Sequence, residues 1–239
     1  NNSFINNQKF YEKIKKNYLN EKTETVLEIG AGVGILSSLI AQNKKIKYFI
    51  IDIPQMIVNS SSYLMTIFPK KKFSLPNELE TNKSFEEKDI IFLMPSQIEL
   101  IKDNFFDLIV ANQNFQEMNY EQIEKYFELI KRTLKYDGIF FTSNRLRKET
   151  KFFNYSWNKL DNFEILSISK NKFHITYGNP LTYIDKIMIK KKSDKKVYNL
   201  NIFRKIILMN SYNFSEYLFW LNRDYKRIIR KFVNFFFKR

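Results

Sequence analysis

The sequence has no cysteine, one histidine, five glycines and five prolines among its 239 residues. Without cysteine there is no disulfide, no thiolate metal site and no thiol nucleophile. A single histidine, His174, excludes a multi-histidine metal centre, and no metal is expected. No run of 18 or more apolar residues occurs, so no segment reads as a membrane-spanning helix. Residues 1–22 are polar and lysine-rich and lack the apolar core of a secretory leader, so a cytoplasmic location is expected. Glycine is the most informative shortage. Average usage gives roughly 17 in a chain this long. Of the five present, Gly30, Gly32 and Gly34 fall within five consecutive residues. That clustering demands an unusual backbone at one point.

What is abundant argues for a packed domain. Hydrophobic residues make up 44% of the chain and aromatics 17%, more than a disordered segment carries. Five short apolar runs stand out: 25–30 (TVLEIG), 48–52 (YFIID), 89–94 (DIIFLM), 106–111 (FDLIVA) and 139–144 (IFFTSN). Helical patterns separate most of them, at 35–42, about 55–68 and 119–135. The last places Ile123, Phe127, Ile130 and Leu134 on one face, with Asn119 as its N-cap. Another helical pattern covers 9–19, and residues 70–89 read as a polar loop. Asp137-Gly138 reads as the turn into the fifth run. Two further strands are expected at 163–169 and 181–190. Apolar runs without alternation suit strands buried on both faces. Strand–helix alternation predicts an α/β fold, a doubly wound and mostly parallel seven-stranded sheet. The expected division is a helical cap at 1–22, this domain at 23–192, and a basic helical tail at 193–239.

The glycine cluster sits in VLEIGAGVG at 26–34, at the junction of the first strand and a helix. A G-x-G turn there lets backbone amides approach a ligand. It fits NAD, FAD and S-adenosylmethionine alike. The dinucleotide pattern is G-x-G-x-x-G, whereas this spacing is G-x-G-x-G. Glu28, two residues before Gly30, is poor company for a pyrophosphate and suits a ligand with an amino group and a sulfonium. Asp52 ends the second strand about 20 residues past the glycines, where a carboxylate can accept both ribose hydroxyls. The remaining contacts are expected from the ends of the next strands, Met94–Gln97 and Asn112–Glu117.

With those residues in view, the chain resembles class I S-adenosylmethionine-dependent methyltransferases. It further resembles the sugar O-methyltransferase family of bacterial surface-polysaccharide clusters. The stretches that carry the resemblance are 28–37 (EIGAGVGILS), 48–64 (YFIIDIPQMIVNSSSYL), 91–101 (IFLMPSQIELI), 112–127 (NQNFQEMNYEQIEKYF) and 140–145 (FFTSNR). It implies a Rossmann-like domain with S-adenosylmethionine as cofactor. Glu28, Gly30, Ala31, Gly32 and Gly34 would form the cofactor loop. Asp52 would hold the ribose and Ile53 would lie beside the adenine. Gln97 would contact the adenine, with Asn112 and Gln113 at the methionine end. Asn114 and Arg145 would bind the acceptor, a sugar or glycan. An alcohol acceptor benefits from a base, and Glu117 and His174 are the candidates. Each has a plainer reading: Glu117 complements the dipole of the helix after it, and His174 is a structural or surface residue.

Charge points to the tail. Residues 1–185 carry 25 basic against 22 acidic residues, a net +3, whereas residues 186–239 carry 15 against 3, a net +12. Arg223, Lys226, Arg227, Arg230 and Lys231 share one helical face, opposite Tyr225, Ile228, Ile229, Phe232, Val233 and Phe236. Such a helix fits either peripheral contact with the inner membrane face through 201–239, or packing on the domain or on a second copy in a homodimer. A nucleic-acid (RNA) methyltransferase or binding module is the rival that a pI near 9.6 raises. Two features count against it. The charge lies away from the crevice, and strand four ends in ANQN without the N/D-P-P-Y/F signature used for base amino groups.

Overall fold

The computed structural model describes residues 2–79, 85–146, 148–171, 175–176, 179–180 and 183–192. His174 and the whole basic tail, residues 193–239, lie outside the described residues. The elements run α1 (Asn2–Asn17), β1 (Thr25–Ile29), α2 (Ile35–Ile40), β2 (Lys47–Ile51), α3 (Pro54–Ile67), β3 (Phe73–Ser74) and β4 (Ile90–Leu93). They continue with β5 (Phe106–Asn112), α4 (Tyr120–Thr133), β6 (Leu134–Arg145), β7 (Phe163–Asn171), β8 (Ile175–Thr176), β9 (Asn179–Pro180) and β10 (Tyr183–Lys190). No helix among the described residues is long and apolar enough to cross a membrane.

The main sheet has eight strands in the order β3-β4-β2-β1-β5-β6-β10-β7. Every pairing from β3 to β6 is parallel, while β10 runs antiparallel to both neighbours. The expected α/β sheet is therefore present with one strand more than the seven anticipated. The addition is β3, two residues within the stretch read as a loop, whose pairing with β4 closes that edge. So short a strand leaves no period to read.

Both faces of the sheet are buried, and strand alternation decides which residue goes where. Leu27, Ile29, Phe49 and Ile51 point to one side, against Phe127 and Ile130 of α4. Val26, Tyr48 and Ile50 point to the other, against Leu36 and Ile40 of α2, Ile57 and Leu64 of α3, and Phe10 and Ile14 of α1. The Phe10 ring lies 4.5 Å from that of Phe141, and Lys13 pairs with Asp185 at 2.7 Å. These contacts clamp α1 across the β6–β10 side of the sheet.

Local signals explain the helix starts. Pro54 sits in the first turn of α3, where its missing N–H costs nothing. At α4, Asn119 Oδ1 accepts from the Gln122 amide and Gln122 Oε1 accepts from the Asn119 amide, closing a capping box. One turn departs from expectation: β6 runs straight through Asp137-Gly138, and Asp137 rather than the glycine takes the left-handed conformation (φ 61°). The β5–β6 register shifts between Phe106 and Leu108 to accommodate it.

Candidate functional site

In a parallel sheet all the strand C-termini open on the same edge, and a ligand crevice forms there. Here β1, β2, β4, β5 and β6 end side by side. A cavity of about 470 Å³ lies beyond them, within the range of small-molecule sites. Its walls bring together Gly30, Gly32, Asp52, Ile53, Gln113, Asn114 and Glu117, seven positions singled out in the sequence.

The loop after β1 forms the floor. Gly30 and Gly32 have φ of 75° and 58°, a region that residues with a Cβ avoid. A Cβ on Gly30 would lie 2.6 Å from the Cβ of Asn114, whereas one on Gly32 would meet nothing within 4 Å. Gly30 is thus required by packing against Asn114, and Gly32 keeps the wall open. The Gly30 amide donates to the Ile51 carbonyl at 2.8 Å, tying the loop to the end of β2.

Asp52 closes the loop from the neighbouring strand. Its Oδ2 accepts from the Gly32 amide at 2.9 Å and its Oδ1 from the Ile53 amide at 2.8 Å. Burial raises its pKa, and the amides of Gly32, Ile53 and Ala31 oppose that rise. Tyr126 of α4 faces the same charge, and burial together with Asp52 pushes its hydroxyl up to about 12. Ile53, Met56, Pro95 and Ile98 supply apolar wall beside the carboxylate.

The opposite wall follows β5. Gln113 holds a left-handed backbone (φ 62°) and donates its amide to the Ser143 carbonyl at 2.7 Å. Asn114 is 8% exposed and its amide group is committed, with Nδ2 donating to the Ile29 carbonyl and Oδ1 accepting from the Phe115 amide. It shapes the wall more than it offers a free group to an acceptor. Glu117 lines the cavity, pairs with Lys148 and accepts from Gln116 Nε2 at 3.2 Å.

Several expected positions lie off the wall. Glu28 is 2% exposed and faces away from the cavity, toward α2 and β2, where it accepts from Ser37 Oγ and from the Tyr48 hydroxyl at 2.8 Å. Burial pushes its carboxyl up to about 7. Gln97 spends its amide inside the protein: Oε1 accepts from the Met94 amide at 3.0 Å, and Nε2 donates to the Pro76 carbonyl at 2.7 Å. Pro95 and Ile98, on either side of it, face the cavity instead. Asn112 Nδ2 donates to Asn7 Oδ1 of α1 at 3.2 Å. Ala31 works through its backbone, and Gly34 caps α2 in a left-handed conformation. Arg145 reaches the wall indirectly: its Nε donates to the Tyr183 hydroxyl at 2.8 Å, and that hydroxyl donates to Gln113 Oε1 at 3.4 Å. Six lining residues were not anticipated: Met56, Ile98, Met118, Gln122, Lys125 and Tyr126. Gln122, Lys125 and Tyr126 follow i, i+3, i+4 spacing on α4, a face that reads in sequence as solvated.

No protein-family model matches the sequence, and no curated protein matches it. Solved structures do. A proposed sarcosine dimethylglycine methyltransferase from Galdieria sulphuraria aligns at a TM-score of 0.58 with 13% identity, over 81% of this chain and 87% of the other. The magnesium protoporphyrin IX methyltransferase of Synechocystis PCC 6803, solved with bound SAM, aligns at 0.55 with 12% identity over 80% of each chain. The chain has the class I methyltransferase fold. The cyclase SpnF shares it, at 0.56 and 14% identity over 77% of this chain and 82% of the other. A fold that also hosts a cyclase leaves the chemistry to the site.

Proposed function

We propose that this protein is an S-adenosylmethionine-dependent O-methyltransferase acting on a sugar hydroxyl of a surface glycan or its precursor. The observation that carries the reading is the joint between Gly32 and Asp52: a glycine loop and a strand-end carboxylate meet on one cavity wall. Both fit a nucleoside. The carboxylate suits paired ribose hydroxyls, and Ile53, Met56, Pro95 and Ile98 suit the face of a base. Gly32 leaves room where a Cβ would intrude.

S-adenosylmethionine, when bound, supplies an activated methyl group. What remains for the chain is to hold the acceptor in line and to take its proton. Glu117 is the carboxylate on the β5 side of the wall that can accept that proton, and its ion pair with Lys148 orients it. Gln122 and Tyr126 add polar groups on the α4 side where a hydroxylated ring can be held. The sugar acceptor rests on the resemblance of the motifs at 48–64 and 112–127.

Calorimetry with S-adenosylmethionine on the wild type and on Asp52→Ala tests the cofactor. A saturable heat that weakens roughly tenfold or more in the variant is expected. No heat with the wild type overturns the reading. Methyl transfer from labelled cofactor to a pool of sugars and glycans then tests the acceptor class.

A further inference from the structure

We propose that the acceptor carries an oxyanion, a phosphate or a carboxylate, and that Arg145 holds it at the rim of the cavity. The proposal rests on the methyltransferase reading above and adds to it the charge of the substrate.

Arg145 ends β6, at the edge where the parallel strands open. Its guanidinium is fixed from one side only. Nε donates to the Tyr183 hydroxyl at 2.8 Å, and the guanidinium carbon lies 5.6 Å from the centre of the Tyr183 ring. Its backbone amide donates to Gln116 Oε1 at 2.7 Å, which anchors the end of the strand. Among the described residues no carboxylate pairs with it. Arg132 shows the contrast. That arginine donates to Asp103 at 2.9 Å and to the carbonyls of Ile101 and Ile98, so its charge is fully used within the fold.

A half-buried guanidinium held through Nε and an aromatic ring presents its two terminal nitrogens as a planar fork. That fork matches the two oxygens of a carboxylate or phosphate. Two hydrogen bonds connect it to the cavity, through the Tyr183 hydroxyl to Gln113 on the wall. An anionic group at Arg145 therefore leaves the attached sugar inside the cavity. The neighbouring acid does not oppose this, because Glu117 is neutralised by Lys148.

The test measures binding of three probes to the full chain with saturating S-adenosylmethionine: UDP-glucose for a phosphate, glucuronate for a carboxylate, and glucose as the neutral control. At least one anionic probe is expected to bind well ahead of glucose. Arg145→Ala should weaken it roughly tenfold or more, and Arg145→Lys should recover part of the loss. Which anionic probe prevails names the source of the oxyanion. The heat of S-adenosylmethionine binding should be the same in all three proteins, which separates this proposal from the cofactor reading. Equal binding by wild type and Arg145→Ala overturns it. So does glucose binding as tightly as the anionic probes, or no saturable binding of either one. Should Arg145→Ala lose its cofactor heat through misfolding, Tyr183→Phe, which keeps the ring and removes the hydroxyl that holds Arg145 Nε and Gln113 Oε1, is measured in its place, and an unchanged anion affinity in it overturns the proposal.

Discussion

The Tyr48 hydroxyl donates to Glu28 Oε2 at 2.8 Å beneath the glycine loop, joining the first two strands through a carboxyl that water does not reach. Ser37 of α2 donates to the same oxygen. Glu28 thus braces the strand and the helix that flank the loop. Burial pushes its pKa up to about 7, above the ordinary value near 4.5. Between those values the folded state holds a proton that the unfolded chain has lost. Stability therefore falls as pH rises through that window. Glu28→Gln removes the titration while keeping the shape. Relative to that variant, the wild type should lose up to about 3 kcal/mol of stability between pH 5 and 8, at 1.36 kcal/mol per unit. Urea unfolding at the two pH values measures the difference, and parallel profiles would show that the buried carboxyl does not titrate there.

Gly30 and Gly32 share a backbone region but not surroundings, so their alanine variants should separate. Gly30→Ala adds a collision 2.6 Å from Asn114 Cβ to the cost of a left-handed alanine. A loss of about 2–4 kcal/mol is expected, combining backbone strain with overpacking. Gly32→Ala meets only the backbone cost, about 1 kcal/mol. Its methyl enters the cavity, so ligand affinity should fall more than stability does. Thermal unfolding and cofactor calorimetry on the pair measure both effects. A Gly30→Ala protein as stable as Gly32→Ala would contradict the Asn114 contact.

Gln97 shows why part of the site was illegible in the sequence. Its side chain is committed to the Pro76 carbonyl, 21 residues earlier, and no local pattern encodes that meeting. Gln97→Ala should cost about 1–2 kcal/mol of stability for two lost hydrogen bonds. It should leave cofactor affinity nearer the wild type than Asp52→Ala does, and a larger loss than in Asp52→Ala would return Gln97 to the binding surface. The glycine spacing, the Asp52 position and the buried strands were readable because each is a local pattern. The direction of Glu28 was not. Alternation sets it on the Val26 face of β1, but a strand buried on both sides does not say whether that face meets a ligand or a helix. Gln122, Lys125 and Tyr126 read as solvated for a related reason: a helix face over a cavity carries the same residue types as one facing water.

Lys186 raises the opposite question to Glu28, since it is a buried base with no acid paired to it among the described residues. It sits on β10 at 1% exposure, with Nζ 3.4 Å from the centre of the Trp157 ring. Burial holds its pKa well below the ordinary lysine value. Between the lowered value and the unfolded value near 10.4 the unfolded chain binds the extra proton. Stability therefore rises with pH across that window, and at pH 7 the lysine opposes folding. The ring can return about 0.5–2 kcal/mol if the amine is charged. Burying a polar group without a hydrogen bond costs about 1–3 kcal/mol, and a charge costs more, so desolvation wins. Lys186→Met keeps most of the length of the side chain and removes the amine. It should stabilise the protein by about 1–3 kcal/mol at pH 7, with the gain shrinking toward pH 10. Urea unfolding of both proteins at pH 7 and 9.5 reads the two differences. A variant less stable than the wild type at pH 7 would mean that the charge–ring contact outweighs the cost of burial.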